Sequence, residues 1–274
     1  MASGVRAFDV VVEGSDAAAF VAALACARIG LRVANVVTDA TPIFEPENFS
    51  NHGGIIAELC DQLGVGYSIT DVPSDELAIV GIPANPFSRS VRTALGWSGA
   101  WRVYADRLLP LLSIGNEEDF GRLVTKRLGR RASSALVGPA LIREFGVSSM
   151  NLPIVEVAPG LSQAMSRVGS LTSGVLELIA SDSGWAQRIT IDGGTQALMQ
   201  TLRDRMDYFA VQVLSQKEAT KVTATVRLDD VAASEASPSW ERAIVRAQER
   251  AEAARIEVLR DPSKPPVGPI DLAR

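Results

Sequence analysis

Apolar positions fall along this chain in two rhythms, short continuous runs and helical repeats. A run from Phe8 to Val12 ends in Gly14-Ser15-Asp16, an alanine-rich stretch continues to Arg28 and stops at Gly30, and a second run covers Val33 to Val37. Short apolar runs bounded by turn residues read as buried strands, and the alanine-rich segment between them reads as a helix. Ile55, Ile56, Leu59, Cys60 and Leu63 then recur at helical spacing up to Gly64, and Leu77 to Val80 forms a short strand-like run before a turn marked by Pro83 and Pro86. From Ser88 to about Phe145 the rhythm is helical, with Ser88 or Ser90 capping the first helix and Asn116 a later one. Further helices are expected over residues 152–168 and 171–180. Arg188 to Ile191 reads as a strand that runs through Asp192-Gly193-Gly194-Thr195-Gln196 into a helix ending at Met206. Val211–Leu214 and Val222–Leu228, separated by a charged KEATK segment, predict a hairpin. Ser237-Pro238 opens a last helix to about Leu259 with Trp240, Ile244, Ala247, Ala251 and Ala254 on one face, and the proline-rich remainder reads as an extended tail.

The strand, glycine turn, helix, strand order over residues 8–39 is that of a dinucleotide-binding βαβ unit. Its fingerprint asks for glycine at positions 14, 16 and 19, and this chain has Gly14, Asp16 and Ala19. Gly14 keeps the tight turn, and Ala19 is a tolerated substitute where helix and strand pack closely. Asp16 stands where the backbone approaches a pyrophosphate. A carboxylate about 5 Å from a phosphate charge, at an effective dielectric of about 20, is repelled by roughly 3 kcal/mol. Val37 occupies the end of the second strand, where an acid would hold the ribose hydroxyls, and Asp39 two residues on is the partial substitute. The candidate cofactor-binding set is therefore Gly14, Ser15, Asp16, Ala19 and Asp39, read as the vestige of a nucleotide site.

Charge and composition narrow the classes. A net charge of -5 and a pI near 5.1 argue against a nucleic-acid binder. No apolar run approaches the length of a membrane span, and the N-terminus has no secretory signal pattern, which points to the cytoplasm. Cys26 and Cys60 each sit in an apolar helical pattern and read as core thiols. With His52 as the single histidine, a histidine-rich metal site is excluded and no metal ligands are assigned.

Other candidate groups have bland readings that weigh more. His52 reads as an exposed loop histidine rather than a pocket residue. Trp97 and Trp101, four apart, read as core packing rather than a pocket or partner surface. Glu117, Glu118 and Asp119 are explained by a helix N-terminus, where the dipole favours acids. Lys126, Arg127, Arg130 and Arg131 read as a solvated helix face. No nucleophile–base set, P-loop or zinc spacing is present, so the catalytic residues are not assigned.

Four stretches, in this order, resemble the protoporphyrinogen oxidase branch of the flavin-containing amine oxidase superfamily, over roughly residues 8–206. They are the βαβ unit; GIPANPFSRSVRTALGW with ADRLLP; EEDFGRLVTKRLGRRASSALVGPALIREFGVSSMNLPI with LSQAMSRVGSLTSGVL; and IDGGTQALMQTLRDRM. The resemblance implies an α/β fold with a Rossmann-like FAD/NAD(P)-binding-type core and a helical second domain of the substrate type. The implied limits are residues 1–85 for the first part of the core, 86–184 for the helical domain, 185–260 for the return to the core and its C-terminal helix, and 261–274 for the tail. It also implies FAD, with bond-breaking chemistry left to the flavin. TDATPIFEPENF stands where that family places a glycine pair and an arginine along the flavin, and a C-terminal glycine-rich flavin stretch is not found. The chain thus reads as a degenerate, C-terminally shortened member: a non-catalytic partner subunit of a heteromeric oxidase, paired with a full-length flavin oxidase homologue. The alternatives are an FAD-dependent oxidoreductase completed by a second chain, and a cofactor-free isomerase or cyclase that uses an old apolar tunnel for a small-molecule substrate.

Overall fold

The computed structural model describes residues 6–37, 46–109, 119–148, 150–234 and 237–260. In chain order the elements are β1 (Arg6–Glu13), α1 (Ala17–Arg28), β2 (Val33–Val37), β3 (Phe49–Ser50), α2 (Ile55–Leu63), β4 (Tyr67–Asp71), β5 (Ala78–Ile79) and β6 (Ile82–Pro83). A helical stretch follows: α3 (Arg89–Tyr104), α4 (Phe120–Leu128), α5 (Arg130–Ala132), α6 (Gly138–Phe145), α7 (Ile154–Val157), α8 (Leu161–Val168) and α9 (Leu171–Ser181). The chain ends with β7 (Gln187–Ile191), α10 (Gly194–Tyr208), β8 (Gln212–Ser215), α11 (Gln216–Ala219), β9 (Val222–Leu228) and α12 (Trp240–Arg260). The protein is α/β, and its contacts divide it into two compact units.

The first unit joins residues 1–43, 196–234 and 240–274. Its sheet has the order β8-β2-β1-β9, and all three pairings are parallel, with Val10 opposite Val33 on one side and Val226 on the other. β1 is buried from Phe8 to Val12, and Asp9 within it accepts from the Arg32 backbone N–H at 2.8 Å and from the Arg32 guanidinium at 3.2 Å. α1 is buried along most of its length, and its alanines let α12 pack closely against it. The α12 side of that contact is the stripe read from sequence: Trp240, Ile244, Ala247, Ala251 and Ala254 are all buried. This parallel sheet with its helices is the Rossmann-like core.

The expected hairpin is not there. β8 and β9 lie on opposite edges of the sheet, each parallel to its neighbour. Ser215 and Glu218 form a capping box that starts α11, so the charged segment is a helical turn that carries the chain across the sheet rather than reversing it. Alternating residues in an edge strand look alike whether the neighbour is parallel or antiparallel.

The second unit comprises residues 44–195 and 235–239. It contains an antiparallel sheet of order β3-β7-β4, the pair β5-β6, and the helices from α2 to α9. Residues 46–85 belong to this unit rather than to the parallel sheet, because β3 and β4 pair with β7. Its core is a continuous apolar cluster that includes Phe120, Leu128, Leu141, Leu152, Leu161 and Leu171. Ser88 caps α3, as its sequence suggested, by accepting from the Val91 N–H. The later cap belongs to Asp119, whose Oδ1 accepts from the Arg122 N–H at 2.8 Å; Asn116, Glu117 and Glu118 lie outside the described residues. The single helix expected over residues 152–168 is broken into α7 and α8, since Gly160 adopts a left-handed φ of 84° between them. Arg127, expected on a solvated face, is buried and paired with Asp106. The extended tail expected over 261–274 lies outside the described residues.

Candidate functional site

The turn between β1 and α1 is built on Gly14. Its φ is +143°, and a Cβ there would stand 2.7 Å from the Ala19 Cβ and 3.2 Å from the Ala232 Cβ, so only glycine fits. Asn35 of β2 holds the turn from behind. Fully buried, it donates through Nδ2 to the Val12 carbonyl at 3.3 Å and to the Gly14 carbonyl at 3.1 Å, while its Oδ1 has no hydrogen-bond partner among the described residues. Asn35 carries no fingerprint of the dinucleotide-binding motif. A polar residue inside the VANVV run was the available signal.

Ser15 follows Gly14 in the turn, and Asp16 is the N-cap of α1. The Asp16 Oδ1 accepts from the Ala19 N–H at 3.0 Å, and its Oδ2 accepts from the Ala233 N–H at 2.6 Å. The second bond comes from the loop between β9 and α12, which passes over the turn closely enough to put Ala232 beside Gly14. Burial pushes the Asp16 carboxyl above the usual carboxylate range, against the opposing pull of the Ala19 and Ala233 amides and of Arg246. Gly14, Ser15, Asp16 and Ala19 thus share one turn. Asp39 lies outside the described residues, and Val37, at the end of β2, is exposed.

As a seat for the pyrophosphate of a dinucleotide, this turn does not fit. A helix N-terminus binds an anion through its unpaired N–H groups. Here the Ala19 N–H and the overlying Ala233 N–H are both given to the chain's own carboxylate. The Asp16 side chain takes up these two amides and sets a carboxyl group at the N-terminus of α1, beside any phosphate brought to the turn.

The remaining candidates lie in the second unit. His52 is not a solvated loop residue: it stacks on Trp185 with ring centroids 3.9 Å apart and planes 8° apart. Trp97 and Trp101 are not core residues either, being 63% and 59% exposed. A cavity of about 710 Å³ lies in this unit, with Asp71, Glu76, Leu136, Arg143, Glu144 and Arg188 among its lining. Glu144 Oε1 is 2.9 Å from Arg143 Nη2 and 3.9 Å from Arg188 Nη2. Among the described residues no group of histidine, cysteine and carboxylate side chains is arranged to hold a metal, and no helix is long and apolar enough to cross a membrane.

Comparison with known proteins places the fold. No family model matches the sequence, and no curated protein does. Among solved structures, a chain designated a protoporphyrinogen oxidase of Exiguobacterium sp. 255-15 superposes with a TM-score of 0.52 at 16% identity, covering 77% of this chain and 52% of its own. An oxidoreductase from Methanosarcina mazei gives a TM-score of 0.42 at 10% identity, covering 76% and 51%. A redesigned double mutant of putrescine oxidase gives 0.39 at 13% identity, covering 77% and 51%. The first likeness is one of fold, and the present chain spans about half the length of the structures it matches.

Proposed function

We propose that this chain is a non-catalytic partner subunit of a heteromeric flavin-dependent oxidase, binding no flavin of its own and pairing with a full-length flavin oxidase homologue. The observation that carries this reading is the double engagement of Asp16. Where a working dinucleotide site turns its helix N-terminal amides to a phosphate, here the Ala19 amide of the turn and the Ala233 amide of the loop over it go to an internal carboxylate. The fold likeness supports a flavoprotein origin, and Asp16 supports loss of the cofactor on that scaffold. Gly14, Ser15, Asp16 and Ala19 are on this reading a retired phosphate turn kept for its structural role.

The test is the flavin content of the chain alone and in a complex. Purified alone, it is expected to be colourless; flavin absorbance near one equivalent per chain overturns the proposal. Co-expressed with a full-length homologue, it is expected to give one flavin per heterodimer, retained when Asp16 is changed to arginine. Loss of that flavin in the Asp16→Arg complex favours instead an oxidoreductase whose site is shared between two chains. A second reading, a cofactor-free isomerase or cyclase, draws on the cavity with Asp71, Arg143, Glu144 and Arg188 in its lining, which needs no flavin to hold a small molecule. Turnover of a substrate by the isolated, flavin-free chain would establish it.

A further inference from the structure

Two uncommon pieces of backbone meet at the wall of the cavity in the second unit. Ser133–Val137 form a single turn of π-helix between α5 and α6. The tight turn between β5 and β6 rests on it. Val80 there is buried at a φ of +47°, and a Cβ on Gly81 would stand 2.3 Å from the Leu136 carbonyl oxygen. A β-branched residue at positive φ is disfavoured, and π-turns are rare and recur at functional sites. Such backbone persists only where the surrounding structure enforces it, and it gathers at ligand sites. Gly81 and Leu136 both line the cavity.

The cavity is also lined by the sheet β3-β7-β4. Ser50 and Thr70 stand opposite Arg188 in the flanking strands, so the three share one face. Ser50 Oγ is buried and, among the described residues, has no hydrogen-bond partner. The Arg188 side chain is 25% exposed. Its Nη1 donates to the Gln187 carbonyl at 3.2 Å, while Nη2 lies 3.9 Å from Glu144 Oε1, beyond hydrogen-bond reach. Nothing else among the described residues engages this guanidinium, so part of its donor fork is unmet. Glu144 is already held by Arg143 Nη2 at 2.9 Å. Two guanidinium groups and one carboxylate leave one positive charge over beside the cavity. The other acids of the lining, Asp71 and Glu76, are exposed, and Asp71 Oδ1 accepts from Gln187 Nε2 at 3.1 Å. Val72, Pro83, Val91, Leu136 and Ala140 make the lining otherwise largely apolar.

We propose that this cavity binds an apolar monocarboxylic acid, with its carboxylate on Arg188 and its body along the apolar lining. The planar guanidinium offers N–H groups in the geometry that a carboxylate accepts. One surplus positive charge is matched by one carboxylate, and a second acid group on the ligand would meet Asp71 or Glu76. An apolar site with few polar anchors, of about 710 Å³, has the form and size of a small-molecule pocket. The proposal concerns binding alone and rests neither on the partner-subunit reading nor on the isomerase or cyclase reading.

The test is calorimetric titration of the full chain with octanoate and phenylacetate, and with octanamide, octylamine and octanedioate as controls. Both monocarboxylates are expected to bind, and the three controls to bind at least roughly tenfold more weakly than octanoate. Arg188→Met is expected to lose at least roughly tenfold in octanoate affinity, with Arg188→Lys between it and wild type, since lysine keeps the charge and loses the fork. Ala94→Trp adds bulk at an exposed position of α3 that lines the cavity, so it should block octanoate while its circular dichroism matches wild type. This variant keeps the test decisive should Arg188→Met fail to fold. Arg130→Gln, at an exposed arginine outside the lining, is expected to bind as wild type does. No binding of either monocarboxylate, equal binding of octanamide, tighter binding of octylamine, or octanoate affinity unchanged by Ala94→Trp each overturns the proposal. Flavin content is not read in this experiment, so its outcome is separate from that of the partner-subunit reading.

Discussion

The Asp16 carboxylate and the Ala233 backbone N–H, 217 residues apart in sequence, meet at 2.6 Å. The loop that leads into α12 is thereby tied to the N-terminus of α1 by the same side chain that caps that helix. Replacing Asp16 with alanine removes a cap, worth about 1 kcal/mol, and leaves the Ala233 amide without its acceptor, at about 1–3 kcal/mol. Relief of the carboxylate's own burial offsets part of this. Asp16→Ala is expected to be destabilised by about 1–3 kcal/mol in urea denaturation, and not to acquire flavin. An unchanged midpoint would show that the tie contributes nothing.

The same residue sets a pH dependence. Burial outweighs the two amides and Arg246, so the folded pKa of Asp16 lies above its ordinary value of 3.8. A carboxyl with a raised folded pKa holds its proton more tightly in the folded state. Its ionisation therefore subtracts stability as pH rises from 3.8 through the folded value, and the loss is complete above that value. Asp16→Asn lacks this dependence. The stability of wild type relative to Asp16→Asn is expected to be more favourable at acid pH than at neutral pH when urea midpoints are compared across the series. A slope of the opposite sign would mean that the amides win over burial.

Much of the parallel core was legible because its signals are local. The Phe8–Val12 run, the Gly14 turn and the Ala-rich helix specify β1 and α1 within one short segment, and the Trp240–Ala254 stripe specifies the buried face of α12. What was not legible depends on contacts distant in sequence. The strand order places β9 beside β1, which no period-2 pattern encodes, and the Ala233 loop reaches the α1 turn only through that order. Trp97 and Trp101 at a spacing of four share a helix face whether that face meets a core or the solvent. Arg127 differs from Arg130 and Arg131 because Asp106 lies buried opposite it, a fact of packing that a run of basic residues does not carry.

The cysteines offer a check on packing in both units. Burial pushes the Cys26 thiol up to about 12 and, with help from the neighbouring Asp61 charge, the Cys60 thiol up to about 11. Both are free and buried, so neither is a thiolate at neutral or mildly alkaline pH. Reaction with an aromatic disulfide reagent at pH 8 is expected to be slow in the folded protein and to reach two thiols per chain promptly in urea. Rapid reaction of one thiol in the native state would place that helix outside a packed core.

The strongest single-site effect in the second unit is expected at Arg127. Its Nε donates to Asp106 Oδ1 at 2.6 Å, and its Nη2 donates to the carbonyls of Asp106, Leu109 and Gly169 at 3.2, 3.4 and 3.3 Å. Asp106 Oδ2 in turn accepts from the Thr172 N–H at 2.9 Å and from its hydroxyl at 3.2 Å, so the pair joins the turn after α3 to α4 and to the start of α9. The two side chains are 8% and 0% exposed. Removing one member leaves the other charged and buried, which typically costs about 3–5 kcal/mol, whereas replacing both with apolar groups is far milder. Arg127→Met is therefore expected to lose about 3–5 kcal/mol of stability, and Arg127→Met/Asp106→Leu to recover a substantial part of it. Arg130→Ala, an exposed neighbour in the same basic run, is expected to stay within about 0.5 kcal/mol of wild type. Thermal and urea unfolding of the three variants decide the matter: equal effects at Arg127 and Arg130 would return Arg127 to a solvated surface.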